Sequence, residues 1–390
     1  MIYRVSDNII SSLGFTSLDN YNAVKEGKTN LKLYKNKFDL PEPFIASLLN
    51  REEISERFSS INHNCGSQYT IFEQTAILSI YEALKTTNIE PDSENVLFIL
   101  STTKGNVDLL ETPSNSSEEV LERRLRGSYL WHSAQLISQF FNNKNEPVVV
   151  SNACISGVAA QIAAERNLKS GRFKHIIVAG ADLLSKFIIS GFQSFKALSP
   201  EMCKPFDINR LGLNLGEAAT TIIYSSVEND NLPENAMIFK GGAICNDTNH
   251  ISGPSRTGEG LFNAFSEVLP VVDKNNIAFI NAHGTATQFN DDMESVAIGR
   301  ANLNNIPVNS LKGYFGHTLG AAGLLETVIS FYALDENIVL KSMGFENLGV
   351  ASPIKVCENN CKSVNNTFIK TASGFGGTNA AIVIQKNKTK

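Results

Sequence analysis

The apolar run Pro147-Val148-Val149-Val150 leads straight into Ser-Asn-Ala-Cys-Ile-Ser-Gly at 151–157, and a helical pattern follows from Ile155 to Leu168. This stretch constrains the fold more than any other. Ile155, Val158, Ala159, Ile162 and Ala163 keep the i, i+3, i+4, i+7, i+8 spacing of an amphipathic helix. A strand that feeds directly into a helix is the unit of a parallel α/β sheet. Cys154 then falls on the strand-to-helix turn. The unpaired N–H groups and macrodipole at a helix start favour an anion, so the position predicts a thiol with a lowered pKa and a larger share of nucleophilic thiolate. The small residues Ala153, Ser156 and Gly157 predict room for a substrate. For Cys154 taken alone, a buried structural cysteine is the competing reading.

The same grammar recurs along the chain. Short apolar strands are expected at Val96–Leu100, His175–Gly180, Ile277–Ile280 and Pro307–Ser310, and helices over Thr70–Leu84, Glu118–Phe141 with a break at Gly127, Met293–Leu303 and Leu319–Leu334. Residues 1–60 read as irregular and polar, interrupted by Pro41 and Pro43. Leu211 to Tyr224 reads as a strand hairpin whose second arm starts at Ala218. At 390 residues, two packed units are the expectation. Two segments support a duplication: Leu211-Gly-Leu-Asn-Leu-Gly-Glu-Ala-Ala-Thr-Thr-Ile-Ile and Ser373-Gly-Phe-Gly-Gly-Thr-Asn-Ala-Ala-Ile-Val-Ile. Both pass from a glycine-rich turn through Ala-Ala into a β-branched strand, and chance similarity is the alternative. The division is expected within 226–236, where Val227-Glu-Asn-Asp-Asn-Leu-Pro reads as a linker.

Charge narrows the partners. With 34 Lys+Arg against 39 Asp+Glu, a net charge of −5, there is no electrostatic footprint for nucleic acid or an anionic membrane. No apolar run approaches a membrane span, and the N-terminus lacks the pattern of a signal peptide. The six cysteines are scattered, and no histidine pair near Cys357 and Cys361 completes a zinc pattern. A cytoplasmic protein with free thiols and no metal is the expectation.

Two histidines are framed by glycine in the second half. His283 opens His-Gly-Thr-Ala-Thr directly after a strand, and His317 lies in Gly-His-Thr-Leu-Gly before an apolar helix. Both fall beyond strand ends, where α/β sheets carry functional loops; each alone would serve equally as a packing histidine. Glu326 lies inside that apolar helix, where an ionised carboxylate is costly without a partner. Lys312 is the candidate partner, and a solvent-facing glutamate is the alternative. Gly374-Phe-Gly-Gly-Thr-Asn is a turn whose glycines permit close backbone approach to a ligand. A phosphate loop is disfavoured there, because a strand follows.

These motifs together resemble the elongating β-ketoacyl-acyl carrier protein synthases: Ser-Asn-Ala-Cys-Ile-Ser-Gly, Pro205-Phe-Asp-Ile-Asn-Arg, Gly216-Glu-Ala-Ala, His283-Gly-Thr-Ala-Thr with Asn290-Asp, Lys312-Gly-Tyr-Phe-Gly-His-Thr-Leu-Gly-Ala-Ala-Gly and Gly374-Phe-Gly-Gly-Thr-Asn. They appear in the family's order from about residue 65 to the end. The resemblance implies a thiolase-like α/β fold, layered α-β-α-β-α and built from two duplicated halves: 1–230 with the cysteine and 231–390 with the histidines. It implies a homodimer that meets acyl- and malonyl-loaded acyl carrier protein. No cofactor is implied beyond the phosphopantetheine arriving on that carrier.

The resemblance also assigns roles. Cys154 would be the acylated nucleophile, and His283 and His317 would donate to the malonyl thioester carbonyl. Lys312 paired with Glu326 would organise the site. Phe375 would act as a gate, its N–H and that of Cys154 forming an oxyanion hole. Thr285 and Thr287 would line the pantetheine channel, and Asp291 and Glu294 would support the His283 loop. The chemistry suits these residue types. A thiolate accepts an acyl group by thioester exchange, and the enolate left by decarboxylation needs hydrogen-bond donors already in place.

Three departures from the family pattern bear on chain length and pathway: Gly212-Leu213 for Gly-Phe, Gly216-Glu-Ala-Ala for Gly-Glu-Gly-Ala, and Ser101-Thr-Thr-Lys-Gly-Asn for a glycine-rich stretch. A specialised polyketide or polyene role is therefore an alternative to fatty acid synthesis. So is a non-catalytic, chain-length-setting partner in a heterodimer, although such partners typically lack the cysteine. A coenzyme-A thiolase would need a second catalytic cysteine near the C-terminus, and Cys357 and Cys361 lie before the last strand. Lys204 and Arg210, and after them the Arg123–Arg126 cluster, are the candidate contacts for an acidic carrier.

Overall fold

Eleven strands join into one sheet in the computed structural model, which describes residues 1–62, 69–111, 117–226, 234–247, 249–250 and 253–387. They are β1 (Ile2–Ser11), β2 (Val96–Ser101), β3 (Val148–Val150), β4 (His175–Asp182), β5 (Ala218–Ser226), β6 (Met237–Asn246), β7 (Ile277–Asn281), β8 (Pro307–Asn309), β9 (Lys355–Val356), β10 (Thr367–Gly374) and β11 (Thr378–Lys386). From one edge the order is β3-β2-β4-β5-β1, then β6-β11-β10-β7-β8-β9. Setting aside β9, each half repeats one plan: its third strand at the edge, then its second, fourth, fifth and first. The two first strands meet antiparallel at the centre, Ile2 opposite Phe239 and Tyr3 opposite Ile238. This is the duplicated architecture that the sequence pattern implied.

Six helices supply the layers. α1 (Ile71–Leu84) and α2 (Leu130–Phe140) cover the outer face of the first half, and α4 (Glu259–Val268) and α5 (Gln288–Arg300) that of the second. α3 (Ser156–Lys169) and α6 (Ala322–Asp335) lie between the halves within a central core. α6 is buried nearly all round, as its largely apolar sequence dictates. Paired glycines bring its backbone against α3: a Cβ on Gly157 would sit 2.9 Å from the Gly320 carbonyl oxygen, and one on Gly323 would sit 2.6 Å from the Val158 nitrogen. Gly157 therefore makes room for a helix of the other half, not for a substrate.

Two expectations fail for physical reasons. The first sixty residues are not irregular: β1 runs the length of β5 at the sheet centre, and helices span Ser17–Lys25 and Arg51–Ile61. The polar residues that hid β1 are buried with partners. Ser6 donates to the Ala83 carbonyl at 2.7 Å, Asn8 donates to Phe15 at 3.1 Å, and Arg4 pairs with Asp7. The 211–224 hairpin is also absent. Leu215–Gly216 pairs in parallel with Ala46–Ser47 in a separate three-stranded sheet, while β5 joins the main one. Between them, buried Glu217 accepts the N–H groups of Leu49 and Leu184 and pairs with Arg51, turning the chain away from a hairpin. The helix break expected at Gly127 lies at Tyr129, between helix Glu118–Ser128 and α2. The expected linker, Val227 to Pro233, lies outside the described residues. No described helix is long and apolar enough to cross a membrane.

Candidate active site

The end of β3 turns sharply before α3. Ala153 is held at φ 44°, in the left-handed region. Ser156 locks the turn: its hydroxyl accepts the Asn152 N–H at 2.8 Å and donates to the Ala153 carbonyl at 2.6 Å. This small residue is thus a brace for the elbow and not substrate space. Cys154 follows, half-buried, one residue before the helix cap at Ile155. Its thiol does not have the lowered pKa expected of a helix start. Burial pushes it up to about 11, and the Lys312 charge and the N–H groups of Phe375 and Cys154 oppose this only in part. Those two N–H groups both lie within hydrogen-bonding reach of the sulfur.

The second half brings in the imidazoles. His283 leaves the end of β7, and its loop is clamped from behind by α5. Glu294 accepts the N–H groups of His283 at 2.8 Å and Gly284 at 2.6 Å, while Asp291 accepts those of Thr285 at 3.0 Å and Phe206 at 2.7 Å. Burial raises both carboxyl pKa values, Asp291 to about 7. Thr285 and Thr287 lie just beyond, hydroxyls 2.8 Å apart.

His317 precedes the turn into α6. The Leu319 N–H donates to its Nδ1 at 3.3 Å, so Nδ1 is an acceptor and Nε2 carries the proton. That Nε2 is buried with no hydrogen-bond partner among the described residues. The two rings stand edge to face, centroids 5.1 Å apart, and the reactive atoms of Cys154, His283 and His317 lie within 4.8 Å of one another. Burial, and then the Lys312 ammonium, hold both imidazoles well below the usual histidine range, so both are neutral near pH 7. Sulfur and two imidazoles are also ligand types for zinc.

Buried Lys312 and Glu326 form an ion pair. Phe375 sits in the turn of the β10–β11 hairpin, where Gly376 and Gly377 have φ of 84° and 73°. Its ring, 39% exposed, packs against Phe192 and Phe195 at 6.0 and 5.6 Å. Gly374 lets this turn lie on the elbow, since a Cβ there would come within 3.2 Å of the Cys154 nitrogen.

Two further groups went unread in the sequence. Asp182, at the end of β4, gathers the Thr102 hydroxyl at 2.7 Å, the Thr103 N–H at 3.0 Å, the Gly320 N–H at 2.7 Å and the Lys104 ammonium at 3.0 Å. Lys370, buried within β10, pairs with Glu326 from the side opposite Lys312. A lysine inside the apolar run Phe368-Ile-Lys-Thr-Ala was the available signal, by the same logic that singled out Glu326. Among the docking candidates, Arg210 is committed internally. Its side chain is 5% exposed, pairs with Asp292 and donates to the Asp207 and Gly349 carbonyls. Lys204 is half-buried, while Arg123 and Arg126 are exposed.

Comparison with known proteins gives two family matches: "Beta-ketoacyl synthase, N-terminal domain" over residues 19–228 and "Beta-ketoacyl synthase, C-terminal domain" over 236–346. The 3-oxoacyl-[acyl-carrier-protein] synthase 2 of Coxiella burnetii is 28% identical over 67% of the chain and 66% of its own length. Among solved structures, a β-ketoacyl synthase from Burkholderia phymatum superposes with a TM-score of 0.87 at 21% identity, covering 99% of both chains. The ketosynthase ApeO in complex with its chain length factor ApeC, from Xenorhabdus doucetiae, gives 0.84 at 21% identity, covering 99% of this chain and 98% of that one.

Proposed function

The chain belongs to the β-ketoacyl synthase family, and from that premise we propose that it extends an acyl group held on Cys154 by decarboxylative condensation with malonyl-acyl carrier protein. It is an acyltransferase that forms carbon–carbon bonds. One observation carries the site assignment: a sulfur and two neutral imidazoles converge, and the free nitrogen of His317 bears a proton.

In the first step the Cys154 sulfur attacks the acyl thioester of the carrier. The carbonyl oxygen becomes negative between the N–H groups of Cys154 and Phe375. The carrier's thiol leaves with the proton the cysteine gave up, which balances the exchange without a dedicated base. This suits a thiol that burial keeps protonated at rest. In the second step malonyl-carrier enters beside Thr285 and Thr287. Its thioester carbonyl accepts hydrogen bonds from the imidazoles, carbon dioxide departs, and the electron pair of the broken bond becomes the enolate. A protonated Nε2 on a neutral ring donates to that oxygen but is too weak an acid to quench the carbanion, and Nδ1, which accepts the Leu319 N–H, holds no second proton. The enolate carbon attacks the acyl-cysteine carbonyl and sulfur leaves as thiolate, giving the ketoacyl-carrier; a proton from solvent returns Cys154 to the resting thiol.

The carrier protein is the proposed partner, with the exposed Arg123 and Arg126 the stronger docking candidates now that Arg210 is spoken for. A dimer is proposed through β3, three half-buried valines at the edge of the sheet with no further strand beside them among the described residues. We place the boundary between the halves at residues 230–231 and the protein in the cytoplasm. The second reading, a chain-length-setting partner, draws on the complex from Xenorhabdus doucetiae, but a complete set of Cys154, His283 and His317 favours catalysis. The test is malonyl-carrier decarboxylation by purified protein. It should persist in Cys154→Ala and be lost in His283→Ala and His317→Ala; equal activity in all three rejects the reading.

A further inference from the structure

Glu326 lies between two buried ammonium groups, and neither takes part in the bond-making steps derived above. Lys312 meets one carboxylate oxygen and Lys370 the other. Both lysines and the glutamate are almost fully enclosed. Lys370 also donates to the carbonyl of Ala282, the residue before His283, at 3.3 Å. Its neighbour Thr371 donates to Glu294 at 3.2 Å, the same carboxylate that holds the His283 N–H. One turn of β10 thus reaches both the carboxylate behind Lys312 and the backbone behind His283.

We propose that Lys370 is a positioning residue for the condensation, fixing Glu326 and the His283 loop and keeping both imidazoles in their neutral, donating form through its charge. This rests on the condensing-site reading above.

The charges facing the imidazoles come from every side. Lys312 lies on the segment before His317, Lys370 on β10 and Glu326 on α6. Glu294 and Asp291 lie on α5 behind the His283 loop, Asp182 stands at the end of β4, and the Cys154 thiol closes the elbow side. With both lysines charged, one carboxylate serves two ammoniums and leaves an excess positive charge beside the rings. A like charge at short range in a buried site disfavours imidazolium. The Lys370 charge acts in that direction on His283 and His317 alike. Without it the Lys312–Glu326 pair would be neutral overall and the rings would take up a proton more readily. Lys370 pays for its burial with a pKa pulled down to about 8, Glu326 offsetting part of the shift.

The measurement is the pH profile of malonyl-carrier decarboxylation by the full chain as wild type, Lys370→Met and Lys370→Arg. Activity falls on the acid side as the imidazoles protonate. Lys370→Met should move that limb up by about one pH unit, while Lys370→Arg, keeping the charge, should leave it near wild type. A residue that only filled space would lower activity at every pH without moving the limb. A folded Lys370→Met protein with the wild-type limb overturns the proposal. If Lys370→Met does not fold, Lys370→Gln, which keeps an N–H donor for Ala282, carries the same test. Failure of both to fold assigns the lysine to the core and also overturns it. Lack of decarboxylation by the wild type would instead reject the proposed function, so the two failures are distinguishable.

Discussion

Equivalent strand ends in the two halves of this molecule are built in contrasting ways. The third strand of the first half, β3, passes within four residues to a nucleophile braced by its own neighbours Asn152 and Ser156. The third strand of the second half, β8, leads to Lys312 within three residues and to His317 within eight. These are held by residues far along the chain: Glu326 on α6, Lys370 on β10 and the carbonyl of Asn214, which accepts the His317 N–H at 2.7 Å. One plan of folding thus supports a locally determined half-site and a globally determined one. The nucleophile depends on a turn, and the donors depend on distant segments of both halves being in place.

The comparison can be broken by mutation. Cys154→Ala should remove acylation altogether, read as loss of the acyl adduct by intact mass, while malonyl decarboxylation continues. Retention of an adduct would move the nucleophile elsewhere. Next, His283→Ala and His317→Ala should each lower the decarboxylation rate by about 10²–10³, the scale of a lost oxyanion donor. Acylation should be affected far less, and equal damage to both half-reactions would erase the distinction between the half-sites. Glu326→Gln leaves two buried ammoniums without their shared carboxylate. It should cost about 3–5 kcal/mol of stability in a denaturant melt, whereas Ser156→Ala, which removes only a local brace, should cost about 1 kcal/mol. The smallest effect is at the surface. Arg123→Glu should weaken carrier binding severalfold at low salt and little at high salt, and Arg210→Ala should change melting more than binding.

What could be read from sequence follows the same divide. The Cys154 elbow was legible because strand, turn and helix are consecutive, and its residue types carry the pattern. The duplication was legible through Ala218–Ser226 and Thr378–Lys386, which occupy corresponding fifth strands. β1 was not, because Ser6, Asp7 and Asn8 look like loop residues until their distant partners are known. Glu326 and Lys370 are both charges in apolar runs, and the runs themselves are the signal in each case. The pKa of Cys154 is not legible because a helix start can be seen in sequence and burial cannot: desolvation outweighs the helix-end N–H groups here. Gly157 was misassigned for the same reason, since its neighbour, Gly320, is contributed by the other half.

The most direct test of a pocket shared between a sulfur of the first half and two imidazoles of the second is an acylation and chase followed by intact mass. Protein loaded from acyl-carrier should carry one acyl group on Cys154 and lose it on addition of malonyl-carrier, with ketoacyl-carrier appearing in equal amount. His317→Ala protein should load normally and keep its acyl group through the chase. An adduct on another residue, or a chase that runs equally fast without the His317 imidazole, would contradict the account.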